Sequence, residues 1–131
     1  MLVRIFLVLN VFVWLPYGIY CLLDPTFLEA SAGVAATSAT GTTELRAMYG
    51  GLQAAVGVLA ACGIVGGASM RRVALTSLCA LPAGLAVARL AGVLIDGDPT
   101  TYTLGALGFE TVLVICSALL LRQEAYRVLA S

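Results

Sequence analysis

Three charged side chains lie inside strongly apolar stretches of this sequence, where an isolated charge is costly. They are Arg46, Arg89 and Glu110. Placing one charged side chain at the centre of a bilayer costs about 2.5–3.5 kcal/mol on insertion scales. Such groups therefore either pair with an opposite charge or form part of a site for a ligand or an ion.

Arg89 and Glu110 are spaced so that they can pair. Arg89 lies seven residues before Asp96, and Glu110 lies seven residues after Thr103. On two consecutive antiparallel helices, both side chains would lie about 10 Å below the same membrane boundary, because a helix rises about 1.5 Å per residue. We predict an ion pair between them, in which each charge partly satisfies the other.

A further set of polar residues opens one of the apolar stretches. Arg46, Tyr49 and Gln53 recur at the three- and four-residue spacing that places side chains on one face of a helix. Glu44 lies two residues before Arg46 and can reach it only around the rim. Together with the predicted pair they form a candidate polar cluster in the outer half of the protein: Glu44, Arg46, Tyr49, Gln53, Arg89 and Glu110.

Two interpretations of this cluster stay open. Polar groups between membrane helices often fix the register of the helices and bind nothing else. The same groups could instead bind the head group of a lipid, an isoprenoid or a quinone, since charges inside spans also mark sites and pathways. If the pair is buried, Glu110→Ala should cost much more stability than Glu124→Ala. A separate polar residue, Asn10, is expected to make a simple hydrogen bond between helices.

Four apolar stretches must position these side chains: residues 5–23, 44–69, 73–95 and 103–121. Each is close to the roughly 20 residues that a helix needs to cross a bilayer. Only helices or closed barrels satisfy the backbone in lipid. The sequence therefore predicts an all-α, polytopic membrane protein, a single antiparallel bundle of four transmembrane helices over residues 1–131. Thr42 or Thr43 is the expected N-cap of the second helix.

Composition supports a membrane protein and argues against several other classes. The chain has 131 residues, of which 61% are hydrophobic and 11% charged, whereas soluble domains have about 25% charged residues. It contains no histidine, so histidine-held haem and histidine-containing zinc sites are excluded. No basic run offers a footprint for nucleic acid, and the four cysteines show no CxxC spacing. We expect no enzyme activity, no cofactor and no metal.

The distribution of arginine predicts the orientation. Five arginines precede, connect or follow the stretches on one side, whereas the other two connections carry only acidic charges. The positive-inside rule then places both termini in the cytoplasm. The five are Arg4, Arg71 and Arg72 (in the expected turn between the second and third spans), Arg122 and Arg127.

Several motifs, taken together, resemble one known family. These are YGIYCLLDP at residues 17–25, ELRAMYGG at 44–51, ARLAG at 88–92 followed by Asp96 and Gly97, and then Glu110. The pattern resembles an uncharacterised bacterial family of small four-span membrane proteins, the domain of unknown function numbered 4345. The ELRxxYGG element is its most specific part. The resemblance implies a four-helix bundle in a bacterial inner membrane and implies no substrate.

The expected function is that of an accessory or structural subunit of a membrane assembly. Its partners would be membrane lipid and either a second copy or other membrane subunits, with no nucleic acid. It would be a multi-pass protein of the bacterial inner (plasma) membrane. The alternative is a protein that binds a lipid, isoprenoid or quinone, or a small transporter, with the polar cluster as its site.

Overall fold

The computed structural model describes the backbone of residues 1–97 and 99–129, and the side chains of 1–97 and 99–126. About 88% of the chain is helical, and the described residues contain no strand. The helices are α1 (Leu2–Leu23), α2 (Phe27–Ala32), α3 (Ala39–Leu45), a π-helical segment (Arg46–Gly51), α4 (Leu52–Val65), α5 (Ala68–Asp96) and α6 (Thr101–Leu129). The predicted all-α fold is confirmed.

Among the described residues, four helices are long and apolar enough to cross a membrane, as the four apolar stretches predict. They are Leu2–Leu23, Ala39–Val65, Ala68–Asp96 and Thr101–Tyr126. The second of these runs through α3, the π-helical segment and α4 without interruption. The short helix α2 lies in the long connection that precedes it.

The ends of two helices differ from the prediction. Ser38 caps α3, because its hydroxyl accepts a hydrogen bond from the Gly41 amide at 3.0 Å; the predicted cap at Thr42 or Thr43 is therefore wrong. The second span ends at Val65, where Gly66 takes an extended conformation. Since α5 begins at Ala68, Arg71 and Arg72 lie within its first turns and not in the connecting turn.

Thr100 caps the start of α6. The Thr100 hydroxyl accepts a hydrogen bond from the Thr103 amide at 3.2 Å, as an N-cap residue does. Asp98, in the connection between α5 and α6, lies outside the described residues.

The chain divides into two compact units, Met1–Gly66 and Gly67–Ser131. In the first unit α1 packs against α4 and the π-helical segment. Residue numbers in contact rise along α1 while they fall along its partner: Leu15 faces Gly57, Gly18 faces Ala54, and Leu22 faces Gly50. The two helices of this pair are therefore antiparallel.

Glycine is required where these helices touch. A Cβ atom at Gly57 would lie 2.8 Å from the backbone nitrogen of Leu15, and one at Gly18 would lie 2.8 Å from the Cα of Ala54. Gly50 likewise meets Leu22, whereas a Cβ at Gly51 would approach only the carbonyl of Arg46, at 3.9 Å. Small residues at the contact let two membrane helices approach closely.

In the second unit α5 and α6 form an antiparallel helical hairpin. Arg71 pairs with Glu124 near one end and Arg89 with Glu110 near the other, and the Cys79 thiol lies 3.9 Å from the Val114 carbonyl between them. Pro82 is buried within α5, which continues past it to Asp96. Each unit is a packed antiparallel pair, and the single four-helix bundle over residues 1–131 stays a prediction.

Candidate functional site

The predicted ion pair between α5 and α6 is confirmed. The Arg89 Nε donates to the Glu110 Oε1 at 2.9 Å. The Glu110 side chain is 4% exposed and that of Arg89 is 25% exposed. A hydrogen bond between two charged groups is stronger than a neutral one, so the contact stabilises a carboxylate that would otherwise be buried alone.

The pair leaves one carboxylate oxygen unused. The Glu110 Oε2 is buried and has no hydrogen-bond partner among the residues that the structure describes. The Arg89 guanidinium also lies 5.7 Å from the centre of the Tyr102 ring, within the range of a cation–π contact. Arg89 therefore contacts both a buried carboxylate and an aromatic ring of the first turn of α6.

A second pair, which the sequence analysis missed, joins the opposite end of the hairpin. The Arg71 Nη2 lies 3.7 Å from the Glu124 Oε2, and Glu124 is only 8% exposed. Glu124 is therefore unsuitable as the reference carboxylate for Glu110, because it is itself buried and paired.

The glutamates of both pairs belong to one row of buried residues along α6. Its members recur with alternating spacings of three and four residues, the pattern by which one helix packs along another. They are Glu110, Leu113, Ser117, Leu120 and Glu124. This heptad pattern was visible in the sequence and was the available signal for Glu124. Ser117, in its middle, is fully buried, and its hydroxyl has no hydrogen-bond partner in the described part of the chain.

A cleft of about 230 Å³ opens beside Arg89 where α5 ends and α6 begins. It is lined by Arg89, Gly92, Val93, Asp96, Pro99 and Thr103. A Cβ atom built at Gly92 would lie 3.9 Å from the Asp96 Oδ2, so the Asp96 carboxylate leans back over the bare backbone of Gly92. The cleft thus holds one positive and one negative side chain.

The other four predicted site residues belong to the first unit. Glu44 is exposed in the last turn of α3, and Tyr49 and Gln53 are half-buried. Arg46 is exposed and begins the π-helical segment, and its Nε donates to the Leu22 carbonyl at 3.1 Å. It therefore satisfies a backbone acceptor at the end of α1, where the last carbonyls of a helix lack partners within that helix.

The structure brings Arg89 and Glu110 together within the second unit, and Arg46 against α1 within the first. The six-residue cluster that joins both units stays a prediction. The π-helical segment is a feature that the sequence analysis did not anticipate. Single π-helical turns within α-helices occur frequently at functional sites.

Asn10 differs from its expected role. Its amide donates to the Phe6 carbonyl at 2.9 Å, and its oxygen accepts from the Trp14 indole at 3.0 Å. Both bonds lie within α1, because a side chain can reach the residues four positions away on its own helix. The expected hydrogen bond between helices is therefore replaced by contacts within one helix.

The fold and this site define the class of the protein: it is a small multi-pass membrane protein with four apolar helices and a buried arginine–glutamate pair in the described part of the chain. The profile of the family described as Domain of unknown function (DUF4345) matches residues 2–121. The chain therefore belongs to that family. Searches of curated proteins and of solved structures found no match.

Proposed function

We propose that the protein is an accessory or structural subunit of a membrane assembly. The observation that carries this proposal is the placement of an Arg–Glu pair at each end of the α5–α6 seam. Opposite charges at both ends favour one register of the two helices, since sliding either helix separates both pairs. Fixing register is the best-attested role of buried polar contacts between helices.

The proposed partners are membrane lipid and either a second copy of the chain or other membrane subunits. The four spans leave large apolar side chains exposed along their length, among them Phe12, Val87 and Val112. In a bilayer those faces contact lipid or a neighbouring helix. We propose no enzymatic role, because the chain contains no histidine and the two most buried carboxylates among the described side chains are both engaged with arginine.

Purification in a gentle detergent tests this role directly. We expect other membrane subunits, or a second copy, to remain with the protein in a fixed ratio. A monomer that carries only lipid would overturn the proposal. Replacing Arg89 by Met together with Glu110 by Leu should preserve that assembly, since a structural pair can be exchanged for apolar side chains of similar size.

We further propose that the protein lies in a bacterial inner membrane with both termini in the cytoplasm. Supporting this orientation, Arg4, Arg71, Arg72 and Arg122 lie toward the ends of the spans opposite to Asp24 and Asp96. A reporter domain that is active only in the cytoplasm should be active when it is fused to either terminus. Activity of a reporter that works only outside the cytoplasm, at either terminus, would contradict the proposed orientation.

A second candidate function is the binding of an amphiphile such as a lipid, an isoprenoid or a quinone. The specific observation that favours it is the cleft beside Arg89, together with the unbonded Oε2 of Glu110 behind that arginine. A purely structural pair gains nothing from either feature. Lipid that remains with the purified protein and is lost when the cleft is filled would support this function.

A further inference from the structure

We infer that a cavity in the connection between the first two spans binds a primary alkylammonium ion, an ammonium group on a short alkyl chain. The cavity has a volume of about 100 Å³ and is formed by α2, α3 and the loop that joins them. It belongs entirely to the first unit. The inference therefore goes beyond the structural role of the ion pairs in the second unit and does not depend on it.

The polar side chains of the cavity present hydrogen-bond acceptors and no spare donor. They belong to Thr26, Glu29 and Thr42. The Thr26 hydroxyl donates to the Asp24 Oδ1, and the Thr42 hydroxyl donates to the Ser38 carbonyl at 3.2 Å. Each hydroxyl thereby keeps only its lone pairs, and an ionised carboxylate accepts without donating. A ligand in the cavity must therefore supply the hydrogens.

The backbone around the cavity adds few donors. Pro25 has no N–H group, and the amides of Thr26, Glu29, Val34 and Thr42 already donate to other groups of the chain. An anion needs hydrogen-bond donors to replace its hydration, so this arrangement disfavours an anionic ligand.

The charge of this part of the chain favours a cation. Residues 24–45 contain Asp24, Glu29 and Glu44 and no basic residue, and the next basic residue, Arg46, balances only one of the three carboxylates. Glu29 is the one that lines the cavity. It makes no ion pair and no side-chain hydrogen bond with the described residues, so its charge is available to a ligand.

The remaining lining residues are apolar and favour an alkyl chain. They are Pro25, Val34, Ala35, Ala36 and Leu45. Methylene groups gain free energy when such surfaces cover them, and the volume is sufficient for a few heavy atoms, since a water molecule occupies about 30 Å³ in the liquid. One carboxylate and two hydroxyls do not suit a calcium ion, which takes roughly six to eight oxygen ligands.

A primary ammonium fits these acceptors better than a quaternary one. It carries three N–H donors, which can be shared among the carboxylate of Glu29 and the hydroxyls of Thr26 and Thr42. A quaternary ion has no donor and is typically bound by aromatic rings, and none of the residues that line this cavity is aromatic. The cavity should therefore distinguish butylammonium from tetramethylammonium.

A chemical-shift titration of the full chain in detergent micelles tests the inference. The probe is n-butylammonium chloride, and tetramethylammonium chloride at the same ionic strength is the reference. We expect butylammonium to cause saturable shifts in the amide signals of Thr26, Glu29 and Thr42, and tetramethylammonium to cause none. Equal responses to the two ions, or no response to butylammonium, would overturn the inference.

Removing the carboxylate provides the second arm. Glu29→Gln preserves the shape of the side chain and should weaken butylammonium binding about fivefold, the upper end of what an exposed ion pair contributes. Glu44→Gln is the matched control, because Glu44 is also exposed in the first unit but does not line the cavity. Equal weakening in both variants would mean that only the general negative charge attracts the ion, and would refute the site.

Two neighbouring threonines of α3 provide a third arm. Thr42→Val removes an acceptor from the cavity and should weaken binding about threefold, the effect of one net hydrogen bond. Thr43→Val is the matched control, since the Thr43 hydroxyl donates to the Ala39 carbonyl at 3.1 Å in the same manner and does not line the cavity. The same loss of affinity in Thr43→Val would show that the ion binds elsewhere.

A last titration distinguishes the two sources of such a group, a free amine and the lysine side chain of a partner protein. Nα-acetyl-lysine N-methylamide carries the same butylammonium chain on a peptide backbone. Binding as tight as that of butylammonium would show that a partner's lysine can enter the cavity, and exclusion would restrict the site to free amines; both outcomes support the cavity. If butylammonium does not bind while other membrane subunits still co-purify, the structural role survives and only this inference fails.

Discussion

The two units of this protein solve the same packing problem by different means. In the first, α1 approaches α4 and the π-helical segment so closely that a Cβ atom at Gly18, Gly50 or Gly57 would clash. In the second, Gly84, Gly105 and Gly108 have open space around them, and two Arg–Glu pairs connect α5 and α6. No ion pair occurs among the described residues of the first unit.

The difference follows from the physics of association in lipid. Lipid tails are as apolar as leucine, so burial of apolar surface does little to drive two helices together. Close packing of backbones and polar contacts remain as the available forces. The first unit uses the former and the second unit the latter, so substitutions of the same type should have opposite consequences in the two units.

Arg89→Met should produce the largest loss of stability. It leaves Glu110, whose side chain is 4% exposed, as an uncompensated buried carboxylate, and breaking a buried pair in this way costs about 3–5 kcal/mol. The free energy of unfolding in detergent would measure the loss. Arg72→Met is the matched control, because Arg72 is exposed on the same helix.

The reverse change at this pair should be milder. In Glu110→Leu the remaining Arg89 is partly exposed and can extend its long side chain toward the membrane surface. The double variant that carries both substitutions should recover most of the stability. Equal losses in Arg89→Met and Arg72→Met would show that the pair contributes little to the second unit.

Gly57→Ala should destabilise the first unit by about 1–3 kcal/mol, the usual cost of overpacking. The added methyl would meet the backbone of Leu15, which cannot move aside as a side chain can. Gly84→Ala in the second unit should instead be neutral or stabilising, because alanine favours a helix by about 1 kcal/mol over glycine. Thermal denaturation of the two variants side by side would reveal the opposite signs.

If both alanine variants shift stability in the same direction, the contrast between the units is wrong. The comparison is well controlled, since the two substitutions are chemically identical and both lie in helices predicted to span the membrane.

The sequence was sufficient to predict Arg89–Glu110 but not Arg71–Glu124, for a physical reason. By hydropathy, the third stretch begins at residue 73 and the fourth ends at residue 121. The corresponding helices are longer: α5 begins at Ala68 and α6 ends at Leu129. A helix need not stop where its apolar stretch stops, because its backbone remains paired in water. Both partners of the second pair lie in those extensions.

The π-helical segment and the cleft were beyond the reach of the sequence for another reason. Both depend on how one backbone lies against another: Gly50 of the segment touches Leu22, and the cleft needs Asp96 folded back over Gly92. Gly50 and Gly51 are adjacent and equally small, but of the two only Gly50 would bring a Cβ against α1. Spacing identifies a face of a helix, and the partner's position decides which residue on that face is touched.

The Arg71–Glu124 pair should show a smaller coupling than the Arg89–Glu110 pair. The Arg71 and Glu124 atoms are 3.7 Å apart, which is longer than an ordinary hydrogen bond. The burial of this pair is intermediate between that of an exposed ion pair and that of a fully buried one, so we expect a coupling free energy of about 1–2 kcal/mol. A double-mutant cycle with Arg71→Met and Glu124→Gln would measure it. The same cycle with Arg72→Met should give a coupling near zero; equal couplings would contradict the assignment of Arg71 as the partner.

Ser117→Ala should have the smallest effect, and its sign is informative. The Ser117 hydroxyl is fully buried without a partner in the described chain, and an unsatisfied buried polar group is unfavourable, so its removal should raise the free energy of unfolding by up to about 1 kcal/mol. Ser77→Ala on α5 is the control, since the Ser77 hydroxyl already donates to the Val73 carbonyl at 3.0 Å. Both changes gain the same helix propensity, so the difference between them isolates the unsatisfied hydroxyl. A loss of stability in Ser117→Ala relative to Ser77→Ala would mean that this hydroxyl contributes a bond in the folded protein, and that the middle of the α5–α6 seam is held together by polar contacts as its two ends are.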